Sequence, residues 1–407
     1  MLGGNRVQPY YLLNICASFL MQIVALVLVY ILSPEEYGYY ALITSAAQIL
    51  YILCSGWTNA TVLNIGTRRY QEKGTYKDVI IYRAIIVSVC FVLLTLLFAL
   101  LKVPIIKYVG SYQNYILTFV FFIGLITYDF SFQLLYPGEK NNLQAGLVFV
   151  ANLLIFTYVI ICVKDISHYI YFYAIVYVVL FLVLISLFAH FFRKQHFKFD
   201  KNDFNFILVY SFWQLFGVLG VYLINLGTNY VLRFNSIGVD DIGLYNFAYK
   251  LFSCFVPIFA LCGVVIPKWL NNKDIQNKKS YIFSRMRFLI IGLVVLYVVL
   301  YLILPPFLRV IHKEDYLLSA NYFIALLPGF VFYAINQVIN IIVLNTPYYK
   351  HSQFIALIQG GVLLLASFIL VRLMGTYGAL IANIISFAAG TIYFAFLFKR
   401  RVSILLD

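Results

Sequence analysis

Long apolar runs separated by short polar breaks extend along the whole chain. A helix that spans a bilayer needs about 20 mostly apolar residues, and the runs reach this length with helical rather than alternating periodicity. They are too long for barrel strands, so helices must satisfy the backbone hydrogen bonds in lipid. We therefore predict an all-α polytopic membrane protein. Its twelve spans are predicted near residues 10–32, 37–62, 79–101, 113–136, 143–163, 168–190, 205–231, 241–267, 285–307, 317–344, 352–373 and 376–398.

Composition supports a membrane protein without a prosthetic group. Of the 407 residues, 63% are apolar and only 11% are charged, which is typical of an integral membrane protein. The six cysteines are scattered through apolar spans, the five histidines have no metal-ligand spacing, and no phosphate-binding glycine loop occurs. We therefore expect neither a cofactor nor a metal.

The basic residues predict the orientation, because cytoplasmic loops carry an excess of Lys and Arg. If the N-terminus is inside, 21 of the 29 basic residues fall in inner segments and seven in outer ones. Both termini are therefore predicted to be cytoplasmic. The net charge of +14 then reflects topology rather than nucleic-acid binding.

An internal repeat divides the chain. Residues 33–41 read "SPEEYGYYA" and residues 238–246 read "GVDDIGLYN", so that Glu35, Glu36 and Gly38 correspond to Asp240, Asp241 and Gly243. Because each repeat contains six spans, an even number, the two halves have the same orientation in the membrane and are parallel repeats. We predict an N-terminal six-helix lobe over 1–195 and a C-terminal six-helix lobe over 196–407.

The repeated acidic pair allows two interpretations. In the structural one, the acids cap the N-termini of spans 2 and 8, where the helix dipole favours negative charge, and glycine tightens the turn against a neighbour. In the functional one, they contact a cation or a sugar at the outer mouth.

The motifs "LSPEEYGYYAL", "GVDDIGLYNFAYKL" and "MGTYGALIANIISF" are similar to those of a known family. The chain resembles the polysaccharide flippases of the multidrug, oligosaccharidyl-lipid and polysaccharide exporter superfamily, such as O-antigen and capsule repeat-unit flippases. The resemblance implies two lobes around a central cavity, alternating access, and an undecaprenyl-pyrophosphate-linked oligosaccharide carried to the outer leaflet. A polysaccharide polymerase and assembly proteins are implied partners.

Polar residues within spans indicate a cavity, because their burial in lipid is costly. Amide side chains recur on the faces of four predicted spans. The candidate substrate contacts among them are Asn14 and Gln22 in span 1, Gln48 in span 2, Gln214 and Asn225 in span 7, and Asn246 in span 8. The alternative is that such residues form hydrogen bonds between helices.

Lys250 stands out as a basic residue deep in a predicted span. A buried ammonium requires an anion, which a lipid pyrophosphate would supply, and Arg233 at the end of span 7 is a second candidate contact. Two alternatives remain for Lys250: snorkelling to the outer interface and a structural ion pair.

Asp129 lies within span 4 and is a candidate for coupling transport to protons or sodium ions. It could equally pair with a basic residue across the bundle, or have a hydrogen-bonded structural role. In spans 8 and 10, Pro257 and Pro328–Gly329 are candidate kinks.

Two other functions compete with a flippase. A multidrug exporter of the same superfamily would be expected to line its cavity with acids if its drugs are cationic, whereas the polar residues here favour an anionic substrate. A membrane polysaccharide polymerase or glycosyltransferase would generally carry a sizeable outer loop with unique catalytic residues. The predicted outer loops are short and the one acidic pair is duplicated, so we expect a protein that is not an enzyme.

Overall fold

Helices occupy the predicted apolar runs. The structure, a computed structural model, describes residues 9–138, 140–193, 195, 197–271, 277–348 and 350–397. Within these ranges no strand occurs. The α-helices there are α1 (Pro9–Ile31), α2 (Pro34–Cys54), α3 (Thr67–Lys73), α4 (Lys77–Leu100), α5 (Lys102–Val109), α6 (Tyr112–Gln133), α7 (Asn141–Ile161), α8 (Ile166–Phe191), α9 (Lys201–Phe234), α10 (Val239–Ser253), α11 (Val256–Asn271), α12 (Lys278–Val310), α13 (Leu317–Ala325), α14 (Leu327–Leu344), α15 (Lys350–Met374) and α16 (Thr376–Leu397).

Twelve segments in the described part of the chain are long and apolar enough to cross a membrane, and each coincides with one predicted run. The all-α fold class and the number of spans are therefore confirmed. The short helices α3 and α5 lie between spans, and α11 and α13 are parts of interrupted ones.

Two predicted spans are broken next to a proline. The helix of span 8 is interrupted at Cys254 and Phe255, between α10 and α11, and that of span 10 at Leu326, between α13 and α14. Pro257 and Pro328 follow these breaks by two residues. Proline has no backbone N–H for the carbonyl four residues earlier, and its ring crowds that carbonyl. The breaks lie where this effect predicts them.

The second span also ends irregularly. After α2 the chain forms a 3₁₀ turn, Gly56–Thr58, and then a π-helix, Thr61–Gly66, before α3. The α-helical part is thus shorter than the predicted run to residue 62. Single-turn π segments are rare and frequent at functional sites. We refer to residues 55–66 as the irregular segment.

The described residues form two compact units. The first contains the chain up to Ile31 together with Leu42–Val218, and the second contains Leu32–Ala41 together with the chain from Leu219 onwards. In the first unit α1 packs on α7, and α6 on α8. In the second, α16 packs between α14 and α15, and α10 packs on α13. The first turns of α2 and the second half of α9 thus belong to the second unit.

The first turns of α2 and α10 meet inside the second unit at their repeated glycines. A Cβ added to Gly38 would lie 1.9 Å from the Val239 carbonyl oxygen, and one added to Gly243 would lie 1.9 Å from the Pro34 carbonyl oxygen. Pro34 and Val239 are themselves equivalent in the repeat. The contact is therefore reciprocal, and each glycine lets its helix approach the backbone of the other.

The acidic pairs differ in their capping. Ser33 and Glu36 form a capping box before α2: the Glu36 carboxylate accepts from the Ser33 N–H at 2.8 Å and from its hydroxyl at 3.0 Å, and the Glu36 N–H donates to Ser33 Oγ at 3.3 Å. The N-cap of α10 is Gly238, and Asp240 and Asp241 lie in its first turn. Both pairs lie where the helix dipole favours negative charge.

Candidate functional site

In the second unit, amide side chains join α9 to α10. Asn229 and Asn246 exchange hydrogen bonds, with Nδ2 to Oδ1 distances of 3.2 and 2.8 Å. One turn earlier on α9, Asn225 accepts from the Tyr249 hydroxyl at 3.3 Å. Of the predicted substrate contacts, Asn225 and Asn246 are thus brought to one helix pair, where they also link the helices.

Lys250 follows Asn246 by one turn, close to the end of α10. Its side chain is half-buried, and no described residue offers its ammonium a hydrogen bond or an ion pair. The equivalent position in the first repeat is Ser45, which is fully buried and bonded to the Tyr108 hydroxyl at 2.7 Å and to the Leu42 carbonyl at 2.9 Å. The two repeats therefore differ at this position: the Ser45 hydroxyl is hydrogen-bonded within the first unit, whereas Lys250 carries a positive charge.

The other predicted contacts are distributed over both units. Asn14 and Gln22 lie two turns apart on one face of α1, and their Oδ1 and Oε1 atoms are buried without a hydrogen-bond partner in the described residues. Gln48 on α2 and Gln214 on the first part of α9 are half-buried. Arg233 is half-buried in the last turn of α9.

Asp129 is buried in the first unit, with 4% of its surface exposed, and its carboxylate accepts five hydrogen bonds. Oδ1 accepts from Tyr51 at 3.0 Å, from Asn59 at 2.6 Å and from Gln133 at 3.4 Å. Oδ2 accepts from Ser55 and from the Nη2 atom of Arg83, both at 2.5 Å. The donors to the carboxylate come from α2, the irregular segment, α4 and α6.

Arg83 is the partner that sequence reasoning missed. The charge pattern places it among the basic residues of an inner loop, and Lys250 is the basic residue that stands out within a span. In the structure Arg83 is the seventh residue of α4 and is 1% exposed. The available signal was its position inside the predicted span 79–101, since a buried arginine requires an anion.

The Arg83 guanidinium faces four oxygen atoms, which we call the oxygen cage. Nε donates to Thr58 Oγ1 at 2.8 Å, Nη1 to Gln133 Oε1 at 3.0 Å, and Nη2 to Asn59 Oδ1 at 2.7 Å and to Asp129 Oδ2 at 2.5 Å. The Phe130 ring lies 4.3 Å from the guanidinium carbon. Four of the five guanidinium N–H groups and both carboxylate oxygens therefore have hydrogen-bond partners inside the first unit.

Comparison with known proteins agrees with this helical architecture. Residues 9–269 match the family described as "Polysaccharide biosynthesis protein". The chain matches no curated protein sequence.

Three solved structures share the fold at low sequence identity. The lipid II flippase MurJ, in an inward closed conformation, has a TM-score of 0.73 and 17% identity over 95% of this chain and 87% of its own. An inward-facing multidrug resistance MATE family transporter of the MOP superfamily has a TM-score of 0.66 and 14% identity over 98% of both chains. A mutant of the Vibrio cholerae MATE transporter VcmN has a TM-score of 0.60 and 14% identity over 96% of this chain and 95% of its own. The chain therefore belongs to the polysaccharide biosynthesis protein family, and its fold is similar to the folds of MurJ and of the MATE transporters.

Proposed function

We propose that the protein is a flippase that moves undecaprenyl-pyrophosphate-linked oligosaccharide repeat units, such as O-antigen or capsule units, from the cytoplasmic to the outer leaflet. Membership of the polysaccharide biosynthesis protein family supports a glycan cargo, and the fold supports transport rather than catalysis. The proposed lobes are residues 1–195 and 196–407, in a cytoplasmic membrane with both termini on the cytoplasmic side.

The observation that carries this proposal is the half-buried ammonium of Lys250, which has no partner among the described residues. A cation within a span is costly unless an anion compensates it, and the described residues supply none. A lipid pyrophosphate would supply that anion through charge-assisted hydrogen bonds. Arg83 does not compete for this role, because Asp129 already neutralises it.

Amide groups near Lys250 suit the sugar part of the cargo. Asn246 precedes Lys250 by one turn on α10, and Asn225 lies on α9, which bonds to α10 through Tyr249. Amides both donate to and accept from hydroxyl groups. In the first unit, the α1 amides Asn14 and Gln22 have acceptor atoms without a partner in the described residues. Like Gln48, Gln214 and Arg233, they stay predicted substrate contacts.

Coupling to protons or sodium ions through Asp129 stays a prediction. The geometry supports a different role for this acid, since its five hydrogen bonds leave little room for a proton or a metal ion.

The proposal is tested by removing the charge of Lys250. Lys250→Gln and Lys250→Ala should weaken binding of undecaprenyl pyrophosphate by about 10- to 100-fold, because a hydrogen bond to a charged group contributes about 1.5–3 kcal/mol. Lys250→Arg should keep most of the affinity. Binding is measured on purified protein, and flipping of an undecaprenyl-pyrophosphate-linked disaccharide in proteoliposomes.

Lys164→Gln is the matched control, because Lys164 is an exposed lysine outside the spans. Its binding and flipping should equal those of the wild type. Wild-type binding and flipping by Lys250→Ala, at normal protein level, would contradict the proposal and favour snorkelling.

A further inference from the structure

The oxygen cage around Arg83 has the composition of a cation site. Its four oxygen atoms come from one carboxylate, two amides and one hydroxyl, and together carry a single negative charge. Oxygen donors of this kind bind hard cations in proteins. The cage is already filled, since the guanidinium donates to every one of these oxygens.

The side chains of the cage are oriented by the ion pair itself. Asn59 and Gln133 each present their oxygen to Arg83 and their nitrogen to Asp129. The Thr58 hydroxyl donates to the Ser55 carbonyl at 2.6 Å, which leaves its oxygen free to accept from Arg83. Asn59 and Gln133 therefore each contact both charges of the ion pair.

The hydrogen bonds around Arg83 and Asp129 also hold the irregular segment in place. Ser55, Thr58 and Asn59 belong to this segment, and two residues later Thr61 begins the π-helix. The π-helix in turn contacts the first part of α9, where Thr61 and Ser211 share a 2.5 Å hydrogen bond and Asn64 donates to the Tyr210 hydroxyl at 2.9 Å. Arg83 thus connects α4 and α6 to the least regular part of the first unit.

We infer that Arg83 is a built-in cation, which permanently occupies the place that a free cation would take at Asp129 and thereby positions the irregular segment. The four oxygens surround a planar, forked group, so the site is shaped for a guanidinium rather than for a spherical metal ion. Asp129 is then a structural counter-charge and not the site of ion coupling. This inference concerns the first unit alone and holds whatever the cargo.

The test is chemical rescue of Arg83→Ala. Removing the side chain leaves a carboxylate and three oxygens around an empty space, so the melting temperature should fall. Methylguanidinium, at concentrations that leave the wild type unchanged, should raise the melting temperature again. Arg83→Ala combined with Asp129→Asn is the matched control, because the cage then has no negative charge and the rescue should disappear. No rescue of the single variant, or equal rescue of the double variant, would overturn the inference.

A charge-neutral pair provides a second measurement in case Arg83→Ala does not fold. Asp129→Asn alone leaves a buried guanidinium without its counter-charge, and Arg83→Met alone leaves a buried carboxylate. The double variant Arg83→Met, Asp129→Asn removes both charges and should melt above either single variant, because buried ion pairs can be replaced as a unit. A double variant no more stable than the singles would contradict the inference.

The effect of sodium on the melting temperature distinguishes a site filled by Arg83 from a site that binds a free coupling ion. When choline chloride is replaced by sodium chloride at equal ionic strength, the melting temperature of the wild type should not change. A sodium-dependent rise that Asp129→Asn abolishes would show that a free ion binds at Asp129, and the inference would be wrong. This measurement needs no transport substrate, so its result is independent of the proposed flipping activity.

Discussion

At the residue scale, the surroundings of a charged side chain decide its role. Arg83 and Asp129 neutralise each other inside the first unit. Lys250 has no such partner in the described part of the chain. A buried ion pair adds little net stability compared with apolar residues of equal volume, but losing one partner is costly. The paired charges are therefore expected to matter for structure, and Lys250 for binding.

The capping box before α2 gives a prediction that separates two adjacent acids. Glu36 bonds to Ser33, whereas Glu35 is exposed in the same turn without a hydrogen bond to Ser33. Glu36→Ala should lower the free energy of unfolding by roughly 0.5–2 kcal/mol, the usual contribution of an N-cap interaction. Glu35→Ala is the control and should change it by less.

Thermal unfolding of the purified variants, followed by circular dichroism, measures this difference. Transport should survive in both variants, because the acids stabilise a helix end in this interpretation. If Glu35→Ala were the more damaging change, or if either variant stopped transport at normal abundance, a cation or sugar contact would be favoured instead.

At the element scale, the close approach of two helix backbones restricts the choice of residue more strictly than helix propensity does. The spans contain several glycines, but only some lie against another backbone. Gly38 and Gly243 are such positions, because their Cα atoms face the carbonyl oxygens of Val239 and Pro34. By contrast, a Cβ added to Gly292 on α12 would meet no atom within 4 Å.

Alanine at either repeated glycine should force α2 and α10 apart. A Cβ at 1.9 Å from a carbonyl oxygen cannot be accommodated without moving a helix, so Gly38→Ala and Gly243→Ala should each cost about 1–3 kcal/mol or more. Gly292→Ala is the control and should be neutral or slightly stabilising. Melting temperatures in detergent measure the effect. Wild-type stability of both glycine variants would show that the two first turns do not touch in the native protein.

At the scale of the whole molecule, the charge distribution predicts the orientation in the membrane. Inner segments carry about three times as many basic residues as outer ones, although Arg83 is buried and contributes nothing to that bias as a loop charge. The termini and the inner segment at 272–276 lie outside the described residues. Positions in other loops are therefore better suited to a test.

Cysteine labelling in a background without the six native cysteines tests this orientation. A cysteine at Lys164, between α7 and α8, should react with a membrane-impermeant maleimide in intact cells. A cysteine at Lys73, at the end of α3, should react only after the membrane is permeabilised. The opposite pattern would show that the protein is inverted.

Amino-acid order was enough to establish the twelve spans and the all-α class, because twenty apolar residues must form a helix in lipid. Proline marked the two broken spans, but Pro267, Pro305 and Pro306 lie inside continuous helices, so proline alone does not decide where a helix breaks. The internal repeat was also visible, since equivalent positions keep similar residues. The spacing of Ser33 and Glu36 is typical of a capping box, but the sequence interpretation assigned the cap to the two acids and not to Ser33.

Contacts between residues that are far apart in the sequence could be identified only from the packed helices. Arg83 and Asp129 are separated by 46 residues, and nothing in either local pattern names the other as its partner. Likewise, the sequence shows that Gly38 and Gly243 are equivalent but not that they lie against each other's helix. Such contacts depend on how helices pack, and a span of apolar residues can pack on many neighbours with similar energy. The burial of Arg83 and its ion pair with Asp129 therefore became apparent only once the helices were placed side by side.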